Sequence, residues 1–579
     1  MFFYAARKIL GMFHSPFDHR LNRAQWAYCH LCGVSFNIGR ARDVGEPHVA
    51  SFGSNDSLSM EIKDLDLAEC AKKGCVFALR YPYPGNNDDE SEVDPDYQPD
   101  KCNNDIVEPY EYDSDYESDD AMSLSEDQDD NNSHKSQVIT PDEEEEEMYR
   151  NFLSNTLRTL NPKHYTGEPI DVLAYSTTTG TKKDILIPIT SSELPAGYNP
   201  EDLEHIPART CGQAHAYPGA AISVAEMRDC RTAQFLVHKS QAEETWKPDG
   251  LHEDWEPAEE WFLSGVCDGM RSRDCGYPDV WPARGGVETV AADNVSFVPL
   301  GPHELAMPFH PWCFDIFSRQ SKQHFNKVNV DGLIKWRNSE CSYEEFHEFP
   351  RAGDVLESQE QWWDHKPGCE YLAANPLYVP GLPALLAEAT KQEVEVDTTD
   401  SNDKEQPPST ALAVDRLSSL PLDLRLHIIG FLDAADITRL RAASRTFTHL
   451  PNGVWYRLVR EEMPWLWEAW DDSEITHTPS WWTTLDANEV KFVNDARNHY
   501  ARVLGAKPTE QDDLVDYLVP WPVAVPEQVR LERVNTDWHR VFTQVKSQWA
   551  GLKGLRNRQR IWEDVEEIIR RMKALEGSG

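Results

Sequence analysis

The chain has 579 residues and a formal net charge of −43, from 99 acidic and 56 basic side chains. That length asks for two to four domains at ~100–200 residues each, and that charge excludes a surface that grips nucleic-acid phosphates all over. No stretch approaches the ~18–20 uninterrupted apolar residues of a membrane helix, and twelve cysteines are too sparse for a disulfide scaffold. Thiols or metal sites in a reducing compartment are therefore expected, with no membrane or nucleic-acid partner and a cytoplasmic or nuclear location.

The opening "MFFYAARKILGMFHSP" carries interior charges, so it reads as an N-terminal helix rather than a signal peptide. Residues 1–85 form the first part of a mixed domain, and their strongest motif is Cys29-x-x-Cys32-Gly33. A two-residue spacer ending in a glycine turn lets both thiolates face one tetrahedral zinc ion, and two further ligands are then required. Cys70 and Cys75 in "ECAKKGCVF" are favoured by proximity; His310 and Cys313 in "FHPWCF" are favoured by spacing. The expectation is one structural zinc completed by one of these pairs, against the plainer reading of two buried thiols beside a turn. Cys211, His215 and Cys230 form a weaker second cluster, as do Cys267 and Cys275, because their spacings match no closed four-ligand pattern.

Residues 86–148 hold 25 Asp and Glu against two Lys, more than half of the net negative charge. Such a segment cannot bury enough apolar surface to offset the entropy of ordering, and it is predicted to be a disordered insert. Ser114, Ser118 and Ser125 precede acidic residues there and resemble acidophilic kinase sites. The main mixed domain spans 149–390, rich in Trp, Pro and Gly without a sustained helical period. A linker at 391–412, "KQEVEVDTTDSNDKEQPPST" at its heart, precedes a helical unit at 413–460 and a helical segment at 461–579. Near the end, Ile561, Trp562, Val565, Ile568, Ile569, Met572 and Leu575 mark one face of a helix that stops at Gly577. The basic run Lys553, Arg556, Arg558 and Arg560 reads by default as a solvated face, and most of the nineteen tryptophans read as core. No nucleophile elbow, phosphate loop or dinucleotide fingerprint occurs, so a non-catalytic chain is expected.

Within 413–460, Pro421 and Asp423 open a first helix with a stripe at Leu424, Ile428, Phe431 and Leu432. Asp433, with Asp436 three positions on, caps a second helix carrying Ile437, Leu440, Ser444 and Phe447. Val454, Trp455, Leu458 and Val459 mark a third. Helices this short are marginal alone, and the unit has more apolar positions than three helices can hide among themselves, so a partner is expected.

The stretch "LSSLPLDLRLHIIGFLDAADITRLRAASRTFTHLPNGVWYRLV" resembles the F-box: a Leu-Pro opening, an Ile/Leu run ending in "FLD", then D-I-x-x-L-R-x-x-S-R-x-F and a Trp in the third helix. The resemblance implies docking on the Skp-type adaptor of a cullin ubiquitin ligase, with Leu420, Pro421, Leu424, Ile428, Leu432, Ile437, Leu440 and Trp455 as docking or supporting residues. The wider chain resembles a group of long fungal F-box proteins through "CHLCGVSFNIGRAR", "ISVAEMRDCRTAQ", "FLSGVCDGMRSRDCG", "MPFHPWCFDIF", "LAANPLYVPGL", "MPWLWE" and "GLRNRQRIW". The expected architecture is α+β: an irregular mixed N-terminal domain with long loops and an acidic insert, then a three-helix F-box and a helical C-terminal segment. Its expected role is a receptor that presents an unknown protein target for ubiquitination, a non-ligase F-box interaction protein and a hidden enzyme being the alternatives.

Overall fold

The computed structural model describes residues 28–46, 50–53, 62–79, 185–190, 194, 198–200, 203–241, 246–247, 252–268, 279–283, 286–290, 307–340, 348–359, 363–390, 416–470, 480–483 and 529–577. The acidic insert at 86–148 with its three serines, the linker at 391–412 and the N-terminal start lie outside the described residues.

The first part of the chain contributes β1 (Arg40–Ala41), α1 (Leu67–Lys73), β2 (Val76–Leu79), β3 (Leu186–Pro188), β4 (Leu203–Ile206) and β5 (Tyr217–Pro218). There follow β6 (Thr232–His238), β7 (Trp261–Leu263), β8 (Cys267–Asp268), β9 (Asp279–Ala283), β10 (Gly286–Val290) and β11 (Met307–Phe309). The rest is helical: α2 (Pro311–Phe325), α3 (Val330–Ser339), α4 (Gly353–Ser358), α5 (Leu382–Thr390), α6 (Leu422–Ile429), α7 (Ala434–Ala443), α8 (Asn452–Glu462), α9 (Trp538–Ser547) and α10 (Lys553–Gly577). The chain is thus a mixed α+β protein, as its composition predicts.

At the centre β6 pairs antiparallel with β7, β8 and β11. Thr232 through Val237 are all buried, so this strand reads as a continuous run rather than an alternation, and the 3.6-residue or 2-residue search of the sequence passes over it. A separate three-stranded layer, β3-β2-β4, is antiparallel throughout.

Helix α2 starts with Pro311, whose missing N–H costs nothing in a first turn, and ends at Asn326 with a left-handed φ of 57°. Helix α3 is capped by Asn329, whose side chain accepts from Gly332 N at 3.0 Å. Both pack against α10. Six residues of the predicted α10 stripe, Ile561, Trp562, Val565, Ile568, Ile569 and Met572, are buried, while Leu575 is exposed. Their burial contributes on the order of 10 kcal/mol before the entropy of ordering is set against it. The helix reaches the body closely because Gly554 has no side chain: a Cβ there would sit 2.4 Å from the Asn375 carbonyl oxygen. The C-terminal helix therefore fills the same core as the Cys29–Cys32 turn, and packing crosses the composition change near 460.

The basic run does not form a solvated face. Arg558 and Arg560 are buried, Lys553 pairs with Glu226 at 2.8 Å, and the Arg556 guanidinium lies 4.1 Å from the Tyr371 ring centre. In a helix buried along most of its length, the arginines reach inward to carboxylates and carbonyls. The tryptophans largely follow expectation, with Trp261, Trp312, Trp336, Trp363, Trp482 and Trp562 among those buried.

Candidate metal centre and docking helix

Backbone hydrogen bonds close the turn after Tyr28: Cys29 N donates to Val34 O at 2.9 Å and Gly33 N to Cys29 O at 2.8 Å. Gly33 has a φ of 71°, and a Cβ on it would lie 2.6 Å from the Arg351 side chain, so glycine is required twice over. His30 N donates to Pro308 O in β11 at 3.0 Å, which brings the first turn of α2 beside this knuckle. As a result Cys29, Cys32, His310 and Cys313, all buried, place their ligand atoms within 4.8 Å of one another.

The surroundings hold these four in place. His310 Nε2 lies 3.2 Å from the Cys230 carbonyl, which can only accept, so Nε2 carries the proton and Nδ1 is bare. That bare nitrogen faces Cys32 Sγ at 3.6 Å, the tautomer a metal-ligating histidine needs. The knuckle's carbonyls are bound by side chains from distant segments: Arg351 donates to His30 O at 3.0 Å and Leu31 O at 2.7 Å, Arg560 donates to Cys32 O at 2.9 Å, and Gln359 donates to Gly33 O. Arg560 also pairs with Asp564 at 3.0 Å, and Arg351 lies 3.5 Å from the same carboxylate. Neither arginine nor the glutamine stands near the cysteines in sequence, and only the fold reveals them.

Burial pushes the Cys29 and Cys313 thiols up. It opposes ionisation of Cys32 too, but hydrogen bonds from Cys29 and Cys313 hold that thiol well below its ordinary range. A divalent cation would deprotonate all three and supply the charge that burial withholds. Three sulfurs and one nitrogen in a closed set match a structural zinc site and leave no open position for a reacting water.

Of the two pairs the sequence offers Cys29 and Cys32, the structure brings up His310 and Cys313. Cys70 and Cys75 lie elsewhere, in a second group with His205 and Cys211 whose ligand atoms also fall within 4.8 Å of one another. Among the described residues there are therefore two groups able to hold a metal rather than one. Cys211, His215 and Cys230 do not assemble: Cys211 joins the second group, and the Cys230 carbonyl serves His310. His205 carries no sequence signal, because its only neighbour in spacing is Cys211 six residues on. Cys267 lies in β8, and Cys275 lies outside the described residues.

In the three-helix unit, Asp433 caps α7 by accepting from Asp436 N at 2.7 Å, as its sequence indicates. Helix α6 is shorter than its apolar stripe and ends at Gly430, and Arg457 of α8 compensates by donating to the carbonyls of Ile429, Gly430 and Leu432 at 2.9, 3.0 and 3.2 Å. Ile429, Ile437, Phe447, Leu458 and Val459 close the interior. Of the residues carried over from the F-box pattern, Pro421, Leu424 and Ile428 are exposed, Leu420, Leu432 and Leu440 are half-buried, and Ile437 and Trp455 are buried. Trp455 turns to α9, its ring 4.4 Å from His539 and 5.8 Å from Phe542, while Tyr456 meets Trp538 at 4.9 Å. Asn452 locks this seam, donating to Thr536 O at 2.6 Å and accepting from Trp538 N at 2.9 Å. Leu422, and Phe431 of the stripe, neither of them among the docking residues carried over, are 54% and 77% exposed beside Leu424 at 51%.

This small helical unit closes its own interior, rests one face on the body and still turns Leu422, Leu424, Ile428 and Phe431 outward as an apolar row. The F-box domain family matches residues 417–453, and the chain is an F-box protein in carrying that domain. Among curated proteins, one stretch of 63 residues is 44% identical to the ATP-dependent RNA helicase mss116, mitochondrial, of Aspergillus oryzae, covering 11% of this chain and 10% of the helicase. The chain thus spans a tenth of that relative's length. No solved structure matches. Among the described residues no helix is long and apolar enough to cross a membrane.

Proposed function

We propose that this chain is the substrate receptor of a cullin ubiquitin ligase, docking through α6 and its flanks on a Skp-type adaptor and presenting a protein target on the mixed body. The observation that carries the reading is the apolar row Leu422, Leu424, Ile428 and Phe431, outward on a domain matched to the F-box. Leu420, Pro421 and Leu432 border that row and complete the docking surface, while Ile437, Leu440 and Trp455 support it from behind. In this role the chain breaks no bond itself. It raises the local concentration of a target near the ubiquitin-loaded enzyme, in the cytoplasm or nucleus.

The group Cys29, Cys32, His310 and Cys313 takes one structural zinc, which ties the knuckle to α2. Cys29 and Cys32 supply two thiolates, Cys313 the third, and His310 its Nδ1.

Co-purification with the adaptor tests the docking. Replacing Leu420, Pro421 and Ile428 together by Ala should abolish capture, and capture at the wild-type level refutes the assignment. Partners held by the wild-type chain should live longer in cells carrying the triple variant; unchanged half-lives would point to an F-box interaction protein outside degradation.

A further inference from the structure

We infer that Cys70, Cys75, His205 and Cys211 form a second structural zinc site, which staples the β3-β2-β4 layer to α1. The inference is independent of any role in a ubiquitin ligase.

The local geometry prepares two ligands from each flank. Helix α1 ends at Gly74, whose φ of 84° reverses the chain, and the N–H groups of Gly74 and Cys75 both donate to Cys70 O at 3.0 Å. This turn brings Cys75, just ahead of β2, back beside Cys70 on the helix. In β4, His205 lies opposite Phe77 of β2 and turns Nε2 to within 3.5 Å of Cys70 Sγ. The chain then folds through a tight turn, Cys211 N donating to Ala208 O at 2.8 Å, and Cys211 completes the set.

Two backbone amides are aimed at sulfur: Ala208 N donates to Cys75 Sγ and Gln213 N to Cys211 Sγ, each at 3.3 Å. An N–H directed at sulfur favours the thiolate, the form that binds metal. Cys70, Cys75 and Cys211 are free thiols, so no disulfide performs the same task. Three sulfurs and one imidazole with no carboxylate suit zinc over calcium or magnesium.

The layer needs such a staple. Its interior, built on Ile62, Leu65, Leu67, Phe77, Ile189 and Leu203, is separate from the main core. So few apolar residues rarely hold a fold unaided, and a metal that binds only the folded layer adds its binding free energy to folding. The ligands also join chain that is far apart in sequence: Cys70 and Cys75 precede the long segment between β2 and β3, and His205 and Cys211 follow it. Arg42, downstream of the Cys29–Cys32 knuckle, forms a double hydrogen bond with Glu204 at 3.0 Å on each arm, fixing the strand that carries His205.

The test is zinc content per full-length chain by plasma mass spectrometry after purification in reducing, zinc-containing buffer. Cys75→Ser and His205→Ala should each lower the wild-type content by one ion, and combining Cys75→Ser with Cys313→Ser should lower it by two. Wild-type zinc content in Cys75→Ser, or a disulfide among Cys70, Cys75 and Cys211 in the native chain, overturns the inference. Should the variants precipitate, the wild-type chain is stripped and titrated with Co(II). Two equivalents of thiolate-to-cobalt charge-transfer absorbance support the site, and saturation after one equivalent refutes it.

Discussion

Glu468→Ala should be among the most damaging single substitutions in the chain. Arg558 is fully buried on α10, and its Nη1 donates to both Glu468 oxygens at 2.9 Å, while Nε donates to Pro376 O at 2.6 Å. Its guanidinium stacks 3.7 Å from the centre of the Trp467 ring, and Arg319, itself paired with Asp315 at 2.8 Å, lies 4.2 Å from the same ring. Removing Glu468 leaves the Arg558 charge buried beside a second cation with its carboxylate gone. Breaking a buried pair in this way costs about 3–5 kcal/mol, whereas replacing both partners by apolar residues of similar volume is often neutral. Urea unfolding followed by tryptophan emission should show that loss for Glu468→Ala, with a melting temperature lower by on the order of 5–15 °C. The double variant Glu468→Leu/Arg558→Met should recover most of it. A loss under about 1 kcal/mol for the single variant, or no recovery in the double, would refute the view that this pair joins α10 to the segment after the F-box.

Three further outcomes follow from the same structure. Leu424→Ala combined with Phe431→Ala removes two exposed apolar side chains, one from α6 and one just past its end, so adaptor affinity measured by calorimetry should fall about 100- to 1,000-fold while the melting temperature stays within a few degrees. His365 is held neutral by burial, which lowers its pKa to about 3, and its Nε2 accepts from Gly39 N at 2.9 Å. Its folded pKa lies below the unfolded value near 6.5, so its contribution to stability is present above that pH and is lost as pH falls from there toward 3, at ~1.4 kcal/mol per pH unit. His365→Gln should flatten the stability profile by that slope between pH 6 and 4.5, and parallel curves for the two proteins would count against it. Cys29→Ser should cost one zinc per chain and lower the melting temperature; unchanged metal content and melting would remove the first centre.

Much of the F-box unit is legible in the sequence, because its cues are local. A cap three residues from its partner N–H, a proline at a helix start and a stripe at helical spacing each depend on neighbours in sequence; Asp433 and Ile437 behave accordingly, and Pro421 stands at the N-cap, one position ahead of the first turn of α6. What α6 exposes was less legible, since Phe431 and Leu432 differ only in which side of a short helix end they fall. The metal groups show the opposite limit. Cys29 and Cys32 announce themselves by spacing, yet their completion by His310 and Cys313 is decided by a backbone bond from His30 to Pro308 across the body. The arginines of α10 misread as surface for the same reason: charge marks solvent in a sequence, and only the fold shows Glu468 and the Cys32 carbonyl waiting inside.

Asn452 stands at the first position of α8, where that helix meets α9. By gripping Thr536 and Trp538 at once, beside a seam of four aromatic rings and His539, it ties α8 to α9, and Arg457 ties α8 in turn to the end of α6, behind the exposed row. The bearing of that row is then a fixed angle written into the fold. A partner seated on that row would be held at a set angle to the body, and a lengthened or softened α8–α9 contact would change the angle while leaving the grip intact.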